Sequence, residues 1–125
     1  MDEELYREHI LDHYKNPRNK GALSDYSFKH KEYNPLCGDV LELFLRVDEK
    51  NRVAETGFEG HGCAISQASA SLLTEYIKGK TIDELKTLTT QDILDMLGVP
   101  INDARMKCAM LSLKTLEQGL YAFSQ

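Results

Sequence analysis

The chain has 125 residues, of which 42% are hydrophobic and 28% charged, with a formal net charge of −5. This composition is that of a globular protein, so intrinsic disorder is excluded, and the length predicts a single domain over residues 1–125. The acidic balance and the lack of a basic run argue against a nucleic-acid partner.

The sequence predicts neither a membrane span nor a secretory leader. It has no run of about 18 apolar residues. Its start, Met1-Asp2-Glu3-Glu4, is acidic where a secretory signal is basic and then apolar. We therefore expect no membrane partner and a cytoplasmic location. In a reducing compartment, three cysteines favour metal binding or thiol chemistry over disulfides.

The first half of the chain predicts a helix followed by three strands. Residues 3–15 form the helix, with Asp2 as its cap and an apolar face of Tyr6, Ile10 and Tyr14. Residues 26–33 form a weak strand, residues 40–47 a strong alternating one, and residues 52–59 a third. The short loops between these strands favour an antiparallel arrangement.

The second half predicts helices only. A helix over residues 64–78 ends at Gly79, and short helices begin near Thr81 and Thr89. A last helix runs from Asn102 or Asp103 to about Ala122. Strands followed by helices in one small chain predict an α+β fold.

The last helix places its large apolar side chains on one arc and Cys108 on the opposite side. The arc consists of Met106, Ala109, Met110, Leu113, Leu116 and Leu120. Cys108 is therefore expected to lie away from the core, partly shielded by Leu111, where an incoming group can reach it.

The other two cysteines lie in turns that suit a binding site. Cys63 follows Gly60-His61-Gly62 at the start of a helix, where the helix dipole favours a thiolate. Cys37 lies between Pro35 and Gly38, two residues before Asp39. Each glycine can instead simply shape a turn, and each cysteine can be a small buried hydrophobe.

Three thiols and a carboxylate form a candidate site for zinc or for iron and sulfide. Cys37, Asp39, Cys63 and Cys108 are the candidate ligands, although no C-x₂-C pair is present. His61 is either a fourth ligand, a base for the thiol or an exposed loop residue. His9 and His13 have the spacing of a metal-binding pair, but a solvated or hydrogen-bonded helix face is the more common arrangement.

Several segments together resemble the U-type iron–sulfur cluster assembly proteins, the family of IscU, SufU and the N-terminal part of NifU. The resemblance covers nearly the whole chain, and its main segments are residues 12–21, 34–39, 58–66 and 104–109. It implies a three-stranded antiparallel sheet with helices packed against it. It also implies that Cys37, Asp39, Cys63 and Cys108 gather at one end and bind zinc or iron and sulfide.

The resemblance further implies partners and a function. The expected function is to accept persulfide sulfur from a pyridoxal-phosphate cysteine desulfurase and to act as scaffold for a [2Fe-2S] cluster passed to apo-proteins. Cys108 is the predicted sulfur acceptor, with Arg105 and Lys107 lowering its pKa, and Asp39 the ligand that eases cluster release.

Three features bear on the subtype. Lys107 stands where IscU proteins have a histidine, and Gly98-Val99-Pro100-Ile101-Asn102 does not match their chaperone-binding stretch, which puts docking of an Hsp70-type chaperone in doubt. The residues before Cys108 look like SufU, yet the usual SufU insertion is missing.

Two alternative functions remain open. The first is a zinc-dependent sulfur-transfer partner of the desulfurase that builds no cluster. The second, less favoured, is a structural zinc module. Whether the chain is itself an enzyme is left open, since it is at most a sulfurtransferase-type partner.

Overall fold

A computed structural model describes residues 3–124, and side chains from residue 7 onward. The predicted cap Asp2 and the side chain of Tyr6 therefore lie outside the described residues. The elements are α1 (Glu3–Lys15), β1 (Phe28–Asn34), β2 (Asp39–Val47), β3 (Val53–His61), α2 (Ala64–Ile77), α3 (Ile82–Leu85), α4 (Thr90–Leu97) and α5 (Asp103–Phe123). Among the described helices, none is long and apolar enough to cross a membrane.

The predicted three-stranded antiparallel sheet is confirmed, with strand order β1-β2-β3. Leu41, Leu43 and Leu45 alternate along β2 toward the core and are fully buried. Phe44 faces the other side of the sheet, where it is covered by Tyr26. Helices α2 and α5 pack on the core side, which gives the expected α+β layering.

Side-chain caps fix the ends of the short helices as the sequence predicts. Thr81 and Thr89 each form a capping box with an acidic residue three positions later. Asn102 caps α5 by accepting a hydrogen bond from the Arg105 N–H at 3.0 Å. These caps set the positions along the chain at which α3, α4 and α5 begin.

Helix α5 is buried on two sides, so the prediction of a single core arc is wrong. It packs against β1 and β2 and also against α2 and α4. Ser69 of α2 donates to the Ala109 carbonyl at 2.8 Å and meets the Ser112 hydroxyl at 2.7 Å. Cys108 consequently has none of its surface exposed, and the expectation that it lies away from the core is corrected.

Helix α1 packs on α2, and Ile10 of the predicted apolar face is buried, but His13 is buried where Tyr14 was expected. Tyr14 is 43% exposed, whereas His13 is buried. The Nδ1 atom of His13 lies 2.7 Å from Ser71 Oγ, which also accepts the Arg18 N–H at 2.8 Å. His13 therefore anchors α1 through a hydrogen bond. This is the hydrogen-bonded helix face that is the more common arrangement for such a histidine pair.

The burial of His13 predicts a pH-dependent stability. Burial, followed by the nearby charges of Arg18 and His9, lowers its pKa. The unfolded chain binds this proton more tightly, so the stabilisation is complete above the usual pKa of about 6.5 and is lost as the pH falls through the folded value. Urea unfolding between about pH 8 and pH 5 should show the free energy of unfolding falling with acidity.

The variant His13→Gln should flatten that fall, because no histidine is left to protonate at this position. The matched control is His61→Gln, at the exposed end of β3, which should keep the wild-type slope. An unchanged slope in His13→Gln would contradict the assignment.

Candidate metal and sulfur site

Three chain segments meet at one end of the sheet. Cys37 lies in the β1–β2 turn, Asp39 is the first residue of β2, Cys63 is the N-cap of α2, and Cys108 lies in the second turn of α5. Gly38, at φ +70°, lets the turn close, and the Cys37 N–H donates to the Asn34 carbonyl at 3.2 Å. Residues far apart in sequence are thereby brought together.

The structure gathers Cys37, Asp39 and Cys108 into a close group. One donor atom from each lies within 4.8 Å of the others. The Cys108 thiol donates to Cys37 Sγ, with the two sulfur atoms 3.1 Å apart. Cys63, a predicted fourth ligand, is not part of this close group among the described residues, although its N–H donates to Asp39 Oδ1 at 3.1 Å.

The carboxylate of Asp39 is buried, and only one of its two oxygens is hydrogen-bonded. Asp39 is only 1% exposed, and its Oδ2 has no hydrogen-bond partner in the described part of the chain. A buried carboxylate is costly unless it is paired with a cation or hydrogen-bonded. The unpaired oxygen beside two thiols therefore fits a bound cation, and sulfur with one oxygen is a ligand set that zinc and iron accept.

The pKa of the Cys108 thiol is raised rather than lowered. Burial is the main cause, followed by the hydrogen bond with Cys37 and by the neighbouring Asp39 and Cys63 groups. The predicted lowering by Arg105 and Lys107 is therefore wrong for this structure, in which both side chains are exposed.

The predicted charged residues lie around the site. Lys107 borders a groove of about 260 Å³ beside Leu36, next to Cys37. Arg105 borders a second, largely apolar groove on the other side of α5. His61 is exposed and does not belong to the close group. Among the described residues, the structure thus brings together Cys37, Asp39 and Cys108 as a group that could hold a metal, and Cys63 adjoins this group through its N–H bond to Asp39.

Asn34 is a site residue that the sequence reasoning missed. It is 5% exposed and pairs with Asp39 across β1 and β2. Its Nδ2 donates to Cys108 Sγ at 3.6 Å, and its carbonyl holds the Cys37 turn. The available signal was its position at the end of the weak strand, directly before the Pro35-Leu36-Cys37 turn.

The two glycines before Cys63, Gly60 and Gly62, are required for different structural reasons. Gly60 has φ +136°, and a Cβ there would overlap the Val40 carbonyl. At Gly62 an added Cβ would lie 2.5 Å from both Asp39 Oδ1 and Ser66 Oγ. Gly62 therefore allows α2 to approach the Asp39 carboxylate closely enough for the Cys63 N–H to bind it.

This geometry defines a class of protein: small α+β domains that carry thiols and a carboxylate at one end of the sheet. The chain belongs to the NifU-like N terminal domain family, which matches residues 5–125.

Two curated relatives cover most of the chain. The zinc-dependent sulfurtransferase SufU of Bacillus subtilis strain 168 is 43% identical over 133 residues, covering 93% of this chain and 89% of the relative. The iron–sulfur cluster assembly scaffold protein IscU of Escherichia coli K12 is 35% identical, covering 86% of this chain and 84% of the relative.

A solved structure agrees with the fold. The crystal structure of a candidate iron–sulfur cluster assembly scaffold of the SUF system, from Fervidobacterium islandicum AW-1, superposes with a TM-score of 0.75 at 29% identity. The superposition covers 95% of this chain and 99% of the other. The fold expected from the sequence is thus confirmed by a relative of nearly equal extent.

The contact at Gly62 predicts a loss of metal affinity in Gly62→Ala. The added Cβ must push the Asp39 carboxylate away, so affinity for zinc should fall by about 10–100-fold, as when a ligand loses its supporting group. Competition with a chromophoric chelator measures the change. The control is Gly79→Ala, at φ +82° with no atom within 4 Å of the added Cβ, which strains the backbone far from the site.

Wild-type zinc affinity in Gly62→Ala would show that the position of Asp39 does not matter for metal binding.

Proposed function

We propose that this chain is an iron–sulfur cluster assembly protein that accepts persulfide sulfur from a pyridoxal-phosphate cysteine desulfurase. The sulfur and iron gathered at the site form a nascent [2Fe-2S] cluster, which passes to apo-proteins. The observation that carries the proposal is the thiol of the exposed Cys37 in direct contact with the buried Cys108 thiol and close to the Asp39 carboxylate, of which one oxygen has no hydrogen-bond partner. The names of the two curated relatives support the same function.

Sulfur acceptance needs only groups that this site presents. A thiolate attacks the outer sulfur of the desulfurase persulfide, the sulfur–sulfur bond of the donor breaks, and the donor cysteine leaves as a thiolate. The accepting cysteine then carries the persulfide. No oxidant or reductant is required for this step.

Cys37 is the first acceptor in this proposal, in place of the predicted Cys108. Cys37 is exposed in the β1–β2 turn, whereas Cys108 is fully buried. A donor cysteine on another protein can reach only an exposed thiol. Cys108 is then the second thiol, placed to act on what Cys37 has received.

The cluster is the cargo of the site rather than part of its fold. Cys37, Cys63 and Cys108 supply thiolates, and Asp39 supplies a hard oxygen ligand that binds iron and sulfide less firmly than a fourth cysteine. The main cluster of contacting apolar side chains forms without the three cysteines and Asp39, although Cys108 is buried beside it, so a purely structural zinc role is less well supported.

A zinc-dependent sulfur-transfer role is the second candidate. Its specific support is the ligand set of three cysteines and one aspartate, with Lys107 where IscU proteins carry a histidine. Zinc on this site would hold the thiols in their deprotonated form at neutral pH. The relative with the higher identity bears the name of a zinc-dependent sulfurtransferase.

The proposal predicts where sulfur arrives. With desulfurase and cysteine, Cys108→Ser, which keeps the exposed thiol, should gain the mass of one sulfur atom, and Cys37→Ser should gain none because the exposed acceptor is gone. Intact-mass spectrometry after alkylation measures this, and acceptance by Cys37→Ser at the level of Cys108→Ser would contradict the role of Cys37.

Ferrous iron, added in the same anaerobic mixture, separates the two candidates. Visible colour and acid-labile sulfide, both lost in Cys37→Ser, indicate the scaffold. A colourless protein that retains zinc and accelerates the desulfurase indicates zinc-dependent sulfur transfer.

A further inference from the structure

The contact between Cys37 and Cys108 has a chemical consequence once Cys37 carries a persulfide. The persulfide consists of an inner sulfur, which is Cys37 Sγ itself, and an added outer sulfur. Cys108 Sγ lies 3.1 Å from Cys37 Sγ, which is the separation of reacting atoms in a near-attack arrangement. The atom that Cys108 touches is therefore the inner sulfur.

Because Cys37 is exposed, the outer sulfur of its persulfide can be displaced toward solvent. Displacement at sulfur places the attacking and leaving atoms on opposite sides of the attacked atom, and which sulfur is attacked determines the product. Cys108 is fully buried whereas Cys37 is exposed, so attack by Cys108 directs the displaced outer sulfur away from the buried thiol. An outer sulfur displaced in that direction leaves into solvent.

Resting on the proposed function, we infer that Cys108 acts as a resolving thiol that converts the Cys37 persulfide into free sulfide. The Cys108 sulfur bonds to Cys37 Sγ, the bond between the inner and outer sulfur breaks, and the outer sulfur departs with the Cys108 proton as hydrogen sulfide. The Cys108 sulfur is oxidised from the thiol to the disulfide level, the outer sulfur is reduced to sulfide, and Cys37 Sγ keeps the oxidation level that it had in the persulfide. Atoms and electrons balance without an external reductant.

The surroundings of Cys108 hold its sulfur in place for this step. Asn34 donates to Cys108 Sγ from one side, and Ser69 fixes the next residue, Ala109, by binding its carbonyl. The buried sulfur therefore has a fixed position. The exposed turn delivers Cys37 against it, with Gly38 allowing the turn its shape.

This step places the protein in a reaction sequence. Its products are sulfide, the form in which sulfur enters an iron–sulfur cluster, and a Cys37–Cys108 disulfide. A dithiol–disulfide exchange reaction must therefore follow, in which a dithiol reductant restores both thiols before the next round.

The test is a single turnover without any thiol reductant. A desulfurase is charged with persulfide, freed of cysteine and mixed with the chain. Released sulfide is then measured, and peptide mapping of the alkylated protein locates disulfide and persulfide. Wild type should release one sulfide per chain and form a Cys37–Cys108 disulfide. Cys108→Ser should keep the persulfide on Cys37, and its sulfide should fall to the level of the charged desulfurase alone.

A matched control is Glu117→Ala on the exposed face of the same helix, which should behave as wild type. Wild-type peptide maps decide the question even where a cysteine variant folds poorly. A persulfide that stays on Cys37, or that moves to Cys108, with no disulfide formed, would overturn the inference while leaving sulfur acceptance intact. A wild-type chain that takes no sulfur would instead contradict the proposed function and, with it, this step.

Discussion

The burial of one carboxylate constrains the whole functional end of this molecule. Asp39 opens strand β2, where one of its oxygens accepts the Cys63 N–H and thereby ties the sheet to the start of α2. That bond exists only because residue 62 is a glycine, since a Cβ would occupy the space of the carboxylate. The other oxygen is left buried without a partner. One oxygen of Asp39 is therefore held by the fold, and the other lacks a positively charged or hydrogen-bonding partner. This arrangement suits a place where a cation binds and leaves.

The packing of α5 divides the thiols into two kinds. Because α5 is wedged between the sheet and α2, Cys108 is fixed and shielded, whereas Cys37 lies on an exposed turn. An exposed thiol can meet a partner protein, and a fixed one can act on what arrives. The names of two relatives, a zinc-dependent sulfurtransferase and an iron–sulfur cluster assembly scaffold, describe sulfur and iron chemistry.

Much of this could be predicted from the sequence, because the signals are local. Alternation along β2 and the threonine caps of α3 and α4 depend on neighbours a few residues apart. The errors concern contacts made at a distance. The apolar periodicity of α5 gives no weight to Ser112 and Gly119, yet these small residues allow close packing against α2 and against Phe28. The burial of His13 could not be predicted from its neighbours, because its hydrogen-bond partner, Ser71, lies 58 residues away.

The central claim is that the cysteines and Asp39 together form one metal site. X-ray absorption at the metal edge of the zinc-loaded chain tests it most directly, because the technique reports the kinds of atom bound to the metal. We expect a shell dominated by sulfur with one lighter ligand, and the loss of that lighter ligand in Asp39→Ala. A shell of nitrogen and oxygen with little sulfur, unchanged in Asp39→Ala, would contradict it.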